Sequence, residues 1–268
     1  IGQNSVQFFY DNANPTGTPL LNNPGTVLQF GTPAPMTVVQ TDEEVILVGN
    51  SAAGGRSVWS IDGFKAKEIS IPAVCQAIDA ELTLIPEAIA CSIRIMGQKL
   101  YILSLSTSTW VYSFTTKMWS QWTGASGVFT AARSTSNDDG GFSVWMGKSD
   151  GKLYAMGMIT YTDDGVAYPC TVVSPKLDFD TINRKTMSRL SIIGDTPSSS
   201  AATQAVSVSW SDDDYRTWQT ARTLYLGPDL PSIRQLGDFR RRAFKITYSQ
   251  GLPFRIEGIE VDINKGVK

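Results

Sequence analysis

The sequence of 268 residues contains no histidine. Histidine is the commonest general base and metal ligand, and it belongs to most Ser-His and Cys-His nucleophilic arrangements. Its absence removes the main routes to hydrolysis and to a metal centre. The residues therefore predict a protein that is not an enzyme, with no catalytic, cofactor-binding or metal-ligating residues.

Cysteine, net charge and long apolar runs are also scarce. The cysteines Cys75, Cys91 and Cys170 lie far apart and are odd in number, which supports neither a zinc site nor a disulfide framework. With 23 basic and 25 acidic residues the net charge is −2, so no overall charge attracts DNA or an anionic membrane. Apolar runs such as Val45 to Val48 have the length of a strand, so we expect no membrane insertion by this chain.

Short strands of similar residue pattern make up the first part of the chain. Segments centred on Val6, Val58 and Trp110 recur at an interval of 52 residues, and a fourth, centred on Leu153, follows after 43. A period of about 50 residues is typical of β-propellers, in which each blade is a small antiparallel sheet. The repeat therefore predicts propeller blades.

One repeat shows a complete blade with four strands. The predicted strands are Ser92 to Met96, Leu100 to Leu105, Thr109 to Phe114 and Met118 to Trp122. Aromatic residues in this repeat are expected to pack between blades, namely Trp110, Tyr112, Trp119 and Trp122. Because Val58 and Trp110 fall in third strands, we expect the first two strands of the Val6 blade to precede Ile1.

A single helix is predicted between the strands. It runs from Pro72 to Leu82, with Ser70 as a candidate N-cap and with apolar residues recurring on one face.

After about Pro169 longer strands replace the turn-rich repeats. The predicted strands are Cys170 to Phe179, Met187 to Gly194, Ala205 to Trp210, Ala243 to Ser249 and Phe254 to Ile263. The segment from Asp195 to Thr203 is predicted to be an exposed loop within this part. The fold class is therefore all-β: a partial, N-terminally truncated β-propeller over residues 1–168, followed by a β-sandwich-like assembly domain over residues 169–268.

An acidic turn follows the strand that begins at Val206. The sequence VSVSWSDDDYRTW comes close to the Asp-box pattern, with Tyr215 where the pattern has glycine. Consecutive carboxylates point away from one another, so Asp212, Asp213 and Asp214 are interpreted as a turn and not as a metal cluster. Three Asp-Gly segments, at Asp138 to Gly141, Asp150-Gly151 and Asp163 to Gly165, are likewise predicted hairpin turns.

The densest basic cluster consists of Arg240, Arg241 and Arg242. Its guanidinium groups are suited to carboxylates of a neighbouring subunit or to DNA phosphates, and a solvated turn is the third interpretation.

A glycan-processing propeller is an alternative, since Asp-box propellers often hydrolyse glycosides with a carboxylate pair. A carbohydrate-binding or plain protein-interaction propeller remains open as well. Only one imperfect box is present, and no pairing among the carboxylates is evident in the sequence; they are Glu43, Glu44, Asp79, Glu81 and Glu87.

The order of these elements resembles the packaged-DNA stabilization proteins, which are tail hub or nozzle components of short-tailed bacteriophages. The resemblance is carried by Ile69 to Ala73, by QKLYILSLSTSTWVYSFTTKMWSQW from Gln98, by the Asp-box hairpin and by the ending from Arg234 to Ile263. The chain departs from the family pattern at Ser113, where Asp is usual, and at Tyr215, where the family hairpin usually has glycine.

The resemblance implies a virion structural protein of the tail, assembled in the host cytoplasm as a ring that is commonly hexameric. Such a ring extends or closes the DNA channel below the portal and adaptor, holds tail fibres or spikes, and contacts double-stranded DNA transiently during ejection. A channel that transmits DNA must not hold it tightly, which favours a subunit contact over a DNA contact for the arginine cluster. We therefore expect the second domain to make the ring, with Arg240 to Arg242 facing Asp212 to Asp214 of a neighbour. The three arginines are expected to be turn residues whose replacement leaves the monomer folded.

Overall fold

A computed structural model describes most of the chain as two compact units, Ile1–Met158 and Ile159–Lys268. The described residues are 1–14, 16–41, 44–50, 55–81, 88–95, 97–124, 129–136, 142–157, 159–194, 204–226 and 230–266. The predicted loop from Asp195 to Thr203 and the predicted turn from Asp138 to Gly141 lie outside them.

The first unit is built from antiparallel sheets whose strands pair in chain order. These strands are β1 (Phe9–Asp11), β2 (Leu20–Asn22), β3 (Val39–Gln40), β4 (Glu44–Asn50), β5 (Arg56–Asp62), β6 (Lys65–Glu68), β7 (Ile89–Ile95), β8 (Gln98–Ser104), β9 (Thr109–Ser113), β10 (Met118–Trp122), β11 (Phe129–Ser136), β12 (Phe142–Lys148) and β13 (Leu153–Met156). The sheets are β1-β2, β3-β4-β5-β6, β7-β8-β9-β10 and β11-β12-β13. Short 3-10 helices lie at Pro24–Thr26 and Pro35–Thr37.

Equivalent residues of the sequence repeat lie in equivalent strands of successive sheets. Val58 lies in β5 and Trp110 lies in β9, and both are the third strands of four-stranded sheets, as predicted. Leu153 begins β13, the third strand of its sheet. Val6 forms an isolated antiparallel bridge with Leu28, and the expectation of strands before Ile1 stays a prediction.

Successive sheets pack through both faces of β8. Tyr101 and Leu103 join a core cluster with residues of β4 and β5, whereas Leu100 and Ile102 join a cluster with residues of β12. The alternation of side chains along a strand produces these two faces. The predicted packing role of the aromatic residues is confirmed: Tyr112, Trp110 and Trp119 belong to the first cluster, and Trp122 belongs to the second.

The predicted helix is confirmed as α1 (Pro72–Glu81), which buries Val74 and Ile78. Leu82 lies outside the described residues. The expected N-cap is wrong: the Ser70 hydroxyl instead accepts the Val58 backbone N–H at 3.1 Å, so it ties the start of the helix to β5.

The second unit is a β-sandwich. Its strands are β14 (Cys170–Val173), β15 (Lys185–Gly194), β16 (Ala205–Ser211), β17 (Arg222–Tyr225), β18 (Ser232–Phe239), β19 (Ala243–Tyr248) and β20 (Ile256–Lys265). One sheet has the order β14-β19-β16-β17 and the other has the order β18-β15-β20. A single core takes Met187 and Leu190 from one sheet and Val208, Phe244 and Ile246 from the other.

Two features of this sandwich differ from the sequence prediction. The strands β17 and β18 were not predicted, and the first predicted strand ends at Val173 and not at Phe179. Pro175 has no N–H to donate, which interrupts the ladder there. Pairing with β19 continues through Ser174, which donates to Phe244 O at 2.9 Å, and the chain then bridges Arg242 at Leu177.

Candidate functional site

The acidic segment between β16 and β17 folds as a hydrogen-bonded turn, here called the Asp-box turn (Ser211 to Trp218). One Asp213 carboxylate oxygen accepts the Thr217 N–H at 2.9 Å and the Ser211 hydroxyl at 2.8 Å, and the other accepts the Thr217 hydroxyl at 2.5 Å. The hydrogen bonds from Thr217 and Ser211 lower the pKa of Asp213 to about 2. The predicted turn-forming role of this carboxylate is confirmed.

Two consecutive residues at the tip of the turn have left-handed backbone conformations. Asp214 has φ 62° and Tyr215 has φ 69°. Glycine adopts such a conformation at little cost, which explains why the pattern has glycine at the position of Tyr215. This conformation lets the Tyr215 hydroxyl donate to Ser174 O at 3.3 Å. The ring also lies beneath Lys176, whose Nζ is 5.5 Å from the ring centroid. The turn thereby fastens the chain that follows β14.

Arg242 is buried beside the turn and pairs within its own chain. It is 1% exposed, and its guanidinium donates to both Asp212 carboxylate oxygens at 2.7 and 2.8 Å. The guanidinium carbon lies 4.2 Å from the Phe239 ring centroid and 5.5 Å from that of Trp210. The bidentate hydrogen bonds and the neighbouring aromatic faces offset the desolvation cost of burying the guanidinium charge.

This arrangement corrects one sequence expectation. Arg242 is part of the core and not a dispensable turn residue, and it pairs with Asp212 within its own chain. Arg242 directly precedes β19 and lies two residues before the core residue Phe244, so alternation places it on the core face, but the sequence does not show that Asp212, 30 residues away, is its partner there. The interface role of Arg240, Arg241, Asp213 and Asp214 stays a prediction.

Asp214 and Arg240, two of the predicted interface residues, both have partners within the chain. Asp214 pairs with Lys176 at 3.1 Å and with Arg241 at 3.3 Å. The hydrogen bond from Lys176 and the nearby charges of Arg241 and Arg216 lower the pKa of Asp214, although burial acts in the opposite direction. Arg240 donates to Ile182 O at 3.0 Å and is itself exposed.

Two buried or linking cations were not predicted. Lys185 is fully buried, and its Nζ donates to Thr181 O at 2.5 Å and to Asn183 O at 2.8 Å. Its spacing of two residues from Met187 places it on the core face of the strand, a signal that the sequence does contain. Arg222 on β17 donates to Arg234 O at 2.5 Å and to Gln235 O at 3.2 Å on β18, a contact that no sequence pattern indicates.

The scattered carboxylates of the first unit accept hydrogen bonds from backbone N–H or hydroxyl groups. Glu44 accepts the Ser60 hydroxyl at 2.5 Å, and Asp79 accepts the Arg56 N–H at 3.2 Å. Glu81, at the end of α1, accepts the N–H groups of Thr107 and Ser108 at 2.7 and 3.1 Å. Glu43 and Glu87 lie outside the described residues.

The part of the chain that the structure describes contains neither a metal-binding cluster nor a membrane-spanning helix. Within the described ranges, no group of three or more Cys, Asp or Glu side chains is arranged to hold a metal ion. None of the described helical segments has both the length and the hydropathy needed to cross a bilayer.

Comparison with known proteins identifies the first unit. No curated protein matches the chain. The family model described as bacteriophage P22 Gp10, beta-propeller, matches residues 1–139, which is about half of the chain and covers β1 to β11. The chain therefore belongs to the P22 Gp10 β-propeller family, whose members are bacteriophage virion proteins that stabilise packaged DNA in the tail.

Proposed function

We propose that this protein is a tail hub or nozzle subunit that assembles as a homo-oligomeric ring of six copies. The ring extends or closes the DNA channel below the portal and its adaptor, and tail fibres or spikes attach to it. The subunits assemble in the host cytoplasm and then become part of the virion tail. The role is structural and not enzymatic.

The observation that carries this proposal is a second folded unit after the propeller match. The match ends at residue 139, whereas the sandwich has a core of its own and strand edges to which no other described strand pairs. Open strand edges are surfaces on which another chain can add. We therefore assign ring assembly to the second unit.

Two observations support a non-enzymatic role. The family consists of phage structural proteins. The carboxylates that a glycosidase would need, Glu44, Asp79 and Glu81, accept hydrogen bonds from backbone or hydroxyl groups in the first unit. No specific observation favours the glycan-processing alternative.

The exposed arginines Arg240 and Arg241 are the remaining candidates for contact with a neighbour or with DNA. The net charge of −2 supports transient passage of DNA over tight binding, because affinity for a duplex rises with each neutralised phosphate. We assign the two arginines to the subunit boundary, where a carboxylate of the next copy completes their hydrogen bonds.

Native mass spectrometry of the full chain, with and without portal and adaptor, tests this function. The proposal expects a closed hexamer that binds the adaptor end-on, visible as a ring by negative-stain imaging. A protein that stays monomeric over the micromolar range and also in the presence of the adaptor overturns it. Cleavage of a polysaccharide that is lost on replacing one carboxylate overturns the non-enzymatic part.

A further inference from the structure

The strands β17 and β18 form one side of the sandwich, here called the linked side. Among the described strands, each is the outermost one of its own sheet. Arg222 on β17 donates from Nη1 to Arg234 O at 2.5 Å and from Nη2 to Gln235 O at 3.2 Å. A single side chain therefore bridges the two edge strands.

Arg222 lies on the core-facing surface of its strand. It pairs across the ladder with the buried Val208, and directly paired residues share one face of a sheet. Its guanidinium carbon lies 5.2 Å from the ring centroid of the buried Trp210, yet Arg222 itself is exposed. An inward-pointing charge on an edge strand is one of the means by which natural sheets avoid pairing with another chain.

The strand β18 carries a second protective feature, a β-bulge. Two of its residues, Gln235 and Leu236, lie opposite the single residue Ser188 of β15. Gln235 has a left-handed backbone conformation with φ 60°. A bulge interrupts the regular row of N–H and C=O groups on which another strand would pair, and Arg222 binds the Gln235 carbonyl at this point. The linked side thus has two features that disfavour the addition of a strand.

The exposed charge of Arg222 also makes the linked side costly to cover. Arg242, which lies near the same Trp210 ring, is buried, and both carboxylate oxygens of Asp212 compensate its charge. Arg222 instead donates to two neutral carbonyl groups. A strand added beside β17 or β18 would cover this guanidinium, and burying a cation without a carboxylate partner is unfavourable.

The opposite edge of the same sheet has none of these features. The strand β14, Cys-Thr-Val-Val, contains no charged or proline residue, its four residues are exposed, and its register with β19 is unbroken. Val172 pairs with the buried Ile246, so it lies on the core face, as Arg222 does at the other edge. Val172 is 62% exposed. The core face therefore ends in an apolar residue at one edge and in a cation at the other.

We propose that Arg222 determines where copies of this protein associate: its inward guanidinium prevents β17 and β18 from pairing with a strand of another chain. The linked side therefore stays exposed to water in the assembled protein. This inference rests on assembly through the second unit, as proposed above, and adds the residue that confines it. Without this charge each copy has an additional edge, and an additional contact that does not close gives open polymers instead of a ring.

The substitution Arg222→Leu in the full chain tests this role. It removes the charge and both hydrogen bonds to β18 but leaves an apolar side chain near Trp210. In sedimentation velocity, species larger than the parental assembly should become about tenfold more abundant than in the parent and should grow with protein concentration. The matched control is Arg189→Leu, at an arginine of the central strand β15 whose side chain is 31% exposed. This control should keep the parental size.

Two further variants separate the loss of an edge charge from damage to the fold. Thr223→Lys, added to Arg222→Leu, places a charge on the same edge strand but on its opposite face, where it does not restore the contacts with β18. This double variant should return to the parental size. Arg222→Lys keeps an inward charge and should also assemble like the parent. Hydrogen exchange of peptides from β16 and β19 reports whether the core is intact.

Each outcome decides for or against the role of Arg222. An Arg222→Leu variant that has an intact core and assembles like the parent overturns the proposal. Larger species that persist after Thr223→Lys also overturn it, since their growth then does not use β17. Loss of exchange protection in β16 and β19 assigns Arg222 to folding and has the same consequence. If the parent forms no ring, the proposed function fails, whereas the comparison of Arg222→Leu with the parent still decides the role of Arg222.

Discussion

The two units reach a buried core by different routes. In the first unit, strands pair with their chain neighbours, and successive sheets pack face to face through residues such as Tyr101 and Ile102. In the second, β14 pairs with β19 and β15 pairs with β20, so partners lie tens of residues apart. The second unit also buries the charges of Arg242 and Lys185. Repetition thus shapes the first unit, whereas a few long-range and polar contacts shape the second.

The largest effect on stability is expected from removing an aromatic side chain from the core of the sandwich. Phe244 is buried in the single core that joins both sheets, so Phe244→Ala should lower the free energy of unfolding of the second unit by about 3–5 kcal/mol. Denaturant unfolding followed by hydrogen exchange of peptides from this unit measures it. The matched control is Phe64→Ala, at a phenylalanine that is 57% exposed. Equal losses for the two variants would contradict a single-core sandwich.

The next effect concerns the buried ion pair. Arg242→Ala leaves the Asp212 carboxylate without its partner and opens space between Phe239 and Trp210, so it should cost about 3 kcal/mol of stability. Arg241→Ala removes an exposed pair with Asp214 and should cost less than about 1 kcal/mol. Thermal or chemical unfolding of both variants provides the comparison. If the two arginines prove equivalent, the core assignment of Arg242 is wrong.

A smaller effect concerns the pH dependence of the stability of the first unit. Burial raises the pKa of Glu81, but hydrogen bonds from Ser108 and Thr107 outweigh it and hold this pKa below the usual 4.5. A carboxyl whose pKa is lowered on folding stabilises the fold above its unfolded pKa, and this contribution is lost as the pH falls through the folded pKa. Stability of the first unit should therefore decline below about pH 4.5. Unfolding of the parent and of Glu81→Gln at pH 7 and pH 3.5 tests this, and the variant should show the weaker pH dependence; an unchanged dependence speaks against the Glu81 contacts.

The smallest effect is expected at the strained tip of the Asp-box turn. Tyr215→Gly removes the cost of a left-handed tyrosine, about 1 kcal/mol, but also removes the contacts of its ring and hydroxyl with Lys176 and Ser174. The two terms oppose each other, so the free energy of unfolding should change by less than about 1 kcal/mol. Tyr215→Phe keeps the strain and loses only the hydrogen bond, and it should be less stable than the parent. A Tyr215→Phe variant that is more stable than the parent would contradict a stabilising role of this hydrogen bond.

The sequence predicted the local part of this fold well. The blade strands β7 to β10, the helix from Pro72 and the Asp-box turn follow from short-range alternation, the apolar face of the helix and turn chemistry. These signals report interactions within a few residues of each other. The repeat interval added the sheet position of Val58 and Trp110 for the same reason.

The candidate interface could be predicted only in part. That Arg242 finds Asp212 as its partner, and that Arg222 links β17 to β18, depends on how distant strands are brought together, which no pattern along the chain records. Exposure of Val172 is equally invisible in sequence, since this residue has the alternation of a core residue. Assembly through the second unit stays a prediction from the sequence, whereas the structure shows which strand edges have no described strand beside them.

Native mass spectrometry of two matched lysine variants tests the assignment of assembly to the second unit most directly. Val172→Lys places a protective charge on the exposed edge of β14, and Leu153→Lys does the same on β13 of the first unit at a residue that is 67% exposed. The account predicts that Val172→Lys is a folded monomer and that Leu153→Lys forms rings like the parent. Rings of parental size and stability from Val172→Lys, or their loss in Leu153→Lys alone, would contradict it.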